Sequence, residues 1–219
     1  MIVSHKHKFI FFAVPKTATH AIREALRQHM GAEDWEQQVL FGRQCLPIPE
    51  IAALQHGHIS VRQIKPHLAP EVWDTYLKFG FVRNPFDRFV STCFFLNRGD
   101  EDFAAHAVTF MKRALTRSRF RERILVTPQA LQLCDTDGEI ALDYIGRYEN
   151  LQQSFDRVCE QIGISTSDLS QKNPSKHAAY TAYYDDELRG LVSEFYKDDL
   201  AIFGYDFEPF LNLFSRFSV

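Results

Sequence analysis

The sequence predicts a three-layer α/β/α fold around a central parallel sheet, and three observations carry that expectation. Apolar runs too short for helices recur along the chain, amphipathic stretches of helical spacing separate them, and tight polar turns join run to helix. Residues 8–14 open the series as a buried strand, with Phe9-Ile-Phe-Phe-Ala-Val14 at its centre. Ala21, Ile22, Ala25, Leu26 and His29 then follow helical spacing, so residues 19–30 are expected to be a helix that Gly31 ends. A less regular stretch follows, punctuated by Pro47, Pro49, Gly57, Pro66 and Pro70. Residues 76–82 read as a second core strand. It runs into Asn84-Pro85, a cap and first-turn pair that predicts a helix over 86–97. A further helix is expected over 101–116 and a third strand over 143–146. Amphipathic helices at 149–162 and 186–196 complete the series. Strands alternating with helices favour parallel pairing.

Composition narrows the classes. Twenty-five Lys plus Arg against 28 Asp plus Glu give a formal charge of −3, which excludes a nucleic-acid binder working by bulk charge alone. No apolar run approaches the roughly 18–20 residues a membrane span needs. The start runs from Met1 through His5-Lys-His-Lys8 into a short apolar stretch that stops at Pro15-Lys16, which reads as a strand and not a signal peptide. The expectation is one cytoplasmic domain over 1–219, with its oligomeric state open. Cys45, Cys93, Cys134 and Cys159 lie far apart, as scattered thiols do and a disulfide framework does not.

Two segments carry chemistry. Pro15-Lys16-Thr17-Ala18-Thr19-His20 joins the first strand to the first helix, where free backbone N–H groups and the positive helix end face whatever sits above the sheet. Lys16 adds a cation and Thr17 and Thr19 add hydroxyls, so this P-loop-like turn suits a phosphate or sulfate. It lacks both Walker glycines, which disfavours a magnesium-dependent kinase. A Thr-capped helix start with an exposed lysine is the plain alternative. The second segment is Arg83-Asn-Pro-Phe-Asp-Arg-Phe-Val-Ser91. Arg83 sits where a strand ends, and Ser91 shares a helix face with Arg88 three residues earlier. A guanidinium and a hydroxyl converging on one spot suit a phosphate; a surface Asp87–Arg88 cluster with a buried serine is the alternative.

Together, Pro15-Lys-Thr-Ala-Thr19 and Phe81-Val-Arg-Asn-Pro-Phe-Asp-Arg-Phe-Val-Ser91 resemble the paired signatures of sulfotransferases that use 3′-phosphoadenosine 5′-phosphosulfate (PAPS). Tyr144-Ile-Gly-Arg-Tyr-Glu-Asn-Leu151 and Tyr196-Lys-Asp-Asp-Leu-Ala-Ile-Phe-Gly-Tyr-Asp-Phe207 are similar to segments of carbohydrate sulfotransferases. The resemblance implies the sulfotransferase fold, akin to P-loop NTPases. It also implies PAPS as co-substrate, 3′-phosphoadenosine 5′-phosphate (PAP) as product, no metal, and a hydroxyl-bearing glycan or glycoside as acceptor. It gives the first loop, Pro15 to His20, to the 5′-phosphosulfate and Arg83 and Ser91 to the 3′-phosphate. His20 stands where a small hydroxyl residue is common, and either contacts phosphate or simply begins the helix.

His56-Gly-His58-Ile-Ser60, the Arg83 segment and Phe94-Phe-Leu-Asn-Arg-Gly-Asp100 look most like the uronyl 2-O-sulfotransferase branch. That likeness makes His58 the candidate base, with His56 beside it. A sugar hydroxyl needs a base to attack sulfur, and a neutral imidazole supplies one near pH 7. A metal-binding His-x-His, a helix-capping histidine and a distant carboxylate base are the alternatives. Lys16 is expected to stabilise the leaving phosphate. Ser175 and Lys176, in Lys172-Asn-Pro-Ser-Lys176, are candidates to close over the nucleotide, or form a solvated loop. Lys112, Arg113, Arg117, Arg119, Arg121 and Arg123 are either a hold for an anionic acceptor or a solvated face near the acidic tail that includes Asp185, Glu187 and Asp199. Phe94 and Phe95 are read as core before cleft. A nucleotide-binding module without transfer activity is the non-enzyme alternative.

Overall fold

The computed structural model describes residues 1–39, 42–169 and 178–208. Its sheet has five strands, β1 (Ile2–Ser4), β2 (Phe9–Phe12), β3 (Trp35–Glu36), β4 (Leu77–Val82) and β5 (Tyr144–Arg147), in the order β3-β1-β2-β4-β5. β2, β4 and β5 are the three expected strands and pair in parallel, Phe12 opposite Gly80 and Val82 opposite Arg147. The sheet as a whole is mixed, which corrects the expectation of a parallel one. β1 runs antiparallel to β2, and β3 antiparallel to β1.

The physical reason lies in the first turn. Lys8 takes a positive φ of 51°, and the chain folds Met1–Ser4 straight back onto β2. Asp34 fixes that turn by accepting from the amides of His5 (2.7 Å) and Lys6 (3.0 Å) and from the Ser4 hydroxyl (2.7 Å). These partners lie about thirty residues apart in sequence, so local patterning does not announce them.

The longer helices are α1 (Thr19–Arg27), α2 (Pro85–Leu96), α3 (Phe103–Leu115), α4 (Leu151–Ile162), α5 (Asp186–Phe195) and α6 (Lys197–Phe203). β2 is apolar on both faces because both are covered. Phe9 and Phe11 join Phe79, Phe81 and the buried faces of α1 and α4. Ile10 and Phe12 look the other way, into a cluster with Ile51, Ile64, Leu133 and Phe203. Each such side chain contributes about 1.5–3 kcal/mol when fully buried. A third cluster packs α2, α3 and α5 together through Phe89, Phe103, Met111 and Val192. α1 stops at Arg27, earlier than Gly31, and two arginines tie it to β3: buried Arg23 reaches Glu36 at 2.6 Å and half-buried Arg27 at 2.7 Å. Since β2 and β4 are parallel neighbours, the segments that leave them emerge at one rim of the sheet. Ligands of α/β sheets bind at that rim.

Candidate active site

The first loop leaves β2 through Ala13 and Val14. Thr17 is fully buried and donates its hydroxyl to the Val14 carbonyl at 2.9 Å, which pulls the loop into a tight curl. Lys16 and Ala18 both take left-handed backbone, φ 67° and 60°. Two non-glycine residues in that region cost on the order of 1–3 kcal/mol each, and such strain concentrates at functional sites. Ala18 precedes α1 without a side-chain cap, in place of the expected Thr cap. Pro15 is buried, whereas Lys16, Ala18, Thr19 and His20 are half-buried at the rim.

Arg83 leaves β4 beside this loop, and the two segments touch: its Nη1 donates to the Lys16 carbonyl at 3.2 Å. The guanidinium lies over the Tyr148 ring, 4.1 Å from the centroid, and its Nε donates to Asp87 at 2.7 Å. Gln129 clamps the Arg83 backbone from both sides, accepting from its amide (2.9 Å) and donating to its carbonyl (3.0 Å). Behind Gln129, buried Asp199 accepts from the amides of Gln129 and Ala130. Burial raises the Asp199 pKa even against those hydrogen bonds. Asn84 caps α2 by accepting from the Phe86 amide at 3.0 Å, as its position predicts.

Ser91 is buried in α2, but Arg88 does not join it at a phosphate site. Arg88 is fully buried and donates to the carbonyls of Leu125, Val126 and Thr127, the last at 2.8 Å. It braces the core, so both the shared-face reading and the surface-cluster reading of Arg88 are corrected. Sharing a helix face fixes direction only; what lies in that direction here is a loop of buried carbonyls, two of which also accept from the Thr92 and Tyr196 hydroxyls.

His58 reaches the same rim from the segment before Ser60. Its Nδ1 lies 2.7 Å from the Ala13 carbonyl. A carbonyl can only accept, so Nδ1 carries the proton and the lone pair stays on Nε2. Burial pushes the ring's pKa down to about 3, so it is neutral at any working pH. Gln132 holds the His58 backbone by donating to its carbonyl at 3.1 Å. The following helical turn is capped by Ser60 in a box with Gln63, not by His58. His56 stacks beside His58 with ring centroids 6.4 Å apart, and burial lowers its pKa too. Gly57 between them is a requirement of packing, because a Cβ there would sit 2.3 Å from the Gln37 carbonyl oxygen. Among the described residues, no group of three or more His, Cys, Asp or Glu side chains is placed to hold a metal ion.

The model of the sulfotransferase family matches residues 1–206. The chain belongs to that family. Mouse carbohydrate sulfotransferase 11 is 23% identical over 260 aligned residues, covering 97% of this chain and 69% of the relative; the rat protein of the same name matches equally. An uncharacterized protein of Archaeoglobus fulgidus is 30% identical over 101 residues, 46% of this chain and 79% of its own length. No solved structure matches.

Within this sulfotransferase, Lys16, Arg83 and His58 are thus tied to one rim, while Ser175 and Lys176 lie outside the described residues. The basic stretch divides. Lys112 turns to the N-terminus of α5 and pairs with Asp185 at 2.7 Å and with Glu187, as a charge near an acidic tail should. Arg113, Arg117, Arg119 and Arg123 instead line a groove of about 560 Å³ with His106, Phe110 and Phe120. Phe94 packs against Phe103 and Tyr183 as core, whereas Phe95 lies under the Lys16 ammonium, 4.3 Å from its centroid. Asp87, Gln129 and Tyr148 escaped the sequence reading as site residues, and Phe95, weighed there for the acceptor cleft but read first as core, lies at the site instead. Tyr148 sits inside the segment whose likeness to carbohydrate sulfotransferases is visible, and that segment was the available signal.

Proposed function

We propose that this sulfotransferase moves a sulfuryl group from PAPS to a hydroxyl of a carbohydrate by in-line transfer, without a metal. The observation that carries the reading is the convergence of Lys16, Arg83 and His58, each tied by a hydrogen bond or backbone contact to the loop at the end of β2. The residues fit the donor. Lys16 has no ion-pair partner among the described residues, and α1 begins beneath a strained, uncapped loop, so cationic and N–H donors face outward for a 5′-phosphosulfate. Arg83 and Ser91 hold the 3′-phosphate.

In the transfer step His58 Nε2 takes the proton of the acceptor hydroxyl as that oxygen bonds to sulfur. The bond from sulfur to the bridging phosphate oxygen breaks, and the charge left on that oxygen meets the Lys16 ammonium. A positioned base contributes about 10²–10⁴-fold when its pKa lies near the working pH, and the lowered pKa of His58 puts its share at the bottom of that range. The relatives named carbohydrate sulfotransferase 11 support a sugar acceptor. The arginine groove is the place for an acidic part of it: Phe103 meets Phe94 on one side and His106 and Phe110 on the other, linking the groove to the residues beside Phe95.

Lys16→Ala tests the reading. Turnover of PAPS with a panel of sugar acceptors falls about 10²-fold or more, while PAP binding, held through Arg83 and Ser91, changes little. Unchanged turnover would remove Lys16 from the mechanism.

A further inference from the structure

Lys16 stands in an unusual electrostatic setting. The charged groups that face it are cations, Arg83 from the end of β4 and Arg98 from just beyond α2. The carboxylate beside Arg83, Asp87, is engaged by Arg83 Nε at 2.7 Å. Burial, then Arg83 and Arg98, push the Lys16 pKa down to about 8. Yet the ammonium is not adrift. It lies 4.3 Å from the centroid of the Phe95 ring, and the guanidinium carbon of Arg98 lies 4.7 Å from the same centroid. Phe95 is only half-buried and belongs to none of the three hydrophobic clusters, unlike its neighbour Phe94. Its packing role is minor, and its ring is what the two cations share.

We propose that Phe95 is a positioning residue whose ring holds the Lys16 ammonium, with Arg98, at the transfer centre without neutralising it. A carboxylate in that place would fix Lys16 more firmly but would repel the phosphosulfate and occupy the N–H donors. The negative face of an aromatic ring orients a cation and leaves its N–H groups available. It also offsets part of the repulsion between Lys16 and Arg98. Phe95 acts through Lys16, so this inference rests on the proposed role of Lys16.

The test removes the π face and keeps an apolar side chain of most of the volume. In Phe95→Leu, the pH dependence of Lys16 acylation by an amine reagent, read by peptide mass without donor or acceptor, shifts its midpoint below the wild-type value near pH 8. Phe95→Trp, with the stronger cation-binding face, shifts it upward or leaves it in place. In turnover, Phe95→Leu lowers kcat by roughly 2–30-fold, the range of a partly buried cation–π contact. The alkaline limb moves to lower pH, and PAP affinity stays within about twofold. Should the leucine variant not fold, Phe95→Met fills a similar volume and carries the same test. A midpoint that is identical in wild type and Phe95→Leu overturns the proposal. If Lys16→Ala is inactive while Phe95→Leu is silent, only this inference fails; if Lys16→Ala is fully active, the functional reading fails with it.

Discussion

His58 gives a prediction whose size follows directly from its surroundings. Its ring is anchored through Nδ1 to the Ala13 carbonyl and its pKa is pushed by burial from 6.5 to about 3. The unfolded chain therefore takes up a proton at His58 as pH falls through 6.5, while the folded protein does not. Stability is lost on the acid side, beginning at the unfolded value. Between pH 7 and pH 5 the linkage amounts to ~2 kcal/mol for this one group. His58→Asn keeps an N–H donor for Ala13 and removes the titration. Urea unfolding of wild type and variant at both pH values gives a double difference in which other titrating groups cancel. The wild type should lose about 2 kcal/mol more than the variant. A double difference below about 0.5 kcal/mol would mean that the ring protonates freely in the folded state, and would refute the buried, neutral base.

The same geometry gives two further expectations. Arg88→Ala removes a fully buried side chain and leaves the Thr127 carbonyl without that donor, while Leu125 and Val126 keep the Thr92 and Tyr196 hydroxyls, and should cost about 2–5 kcal/mol in urea unfolding; a loss under about 1 kcal/mol would contradict the bracing role. Arg117→Glu with Arg123→Glu reverses charge in the groove, so KM for an acidic sugar acceptor should rise about tenfold with kcat and PAP affinity little changed, whereas a neutral glycoside should be unaffected.

The parallel half of the sheet was legible because β2 and β4 are dense in Phe, Ile and Val, because β5, with only Tyr144 and Ile145 as large apolar residues, lies in a segment of visible family likeness, and because each runs into a helix start. β1 and β3 were not, because three and two residues carry no pattern, and they are held by contacts such as Asp34 with Ser4 and Arg23 with Glu36. The rim residues showed through because strand ends and helix starts are marked by Pro15, Asn84 and Pro85. What supports them did not. Asp199 read as one of several solvated acids, but lies at 0% exposure beneath Gln129, because helical periodicity reports a face and not what the fold brings against it. Arg88 misled for the same reason. Tyr148 and Phe95 became intelligible only as the surfaces on which Arg83 and Lys16 rest.

Calorimetric titration of PAP without metal, on wild type and Arg83→Ala, tests the donor site most directly. The account predicts micromolar binding in the wild type and its collapse in the variant, with the fold retained by circular dichroism. Absence of binding to both proteins, or equal binding to both, would contradict the assignment of Arg83 and of the rim it shares with Lys16 and His58.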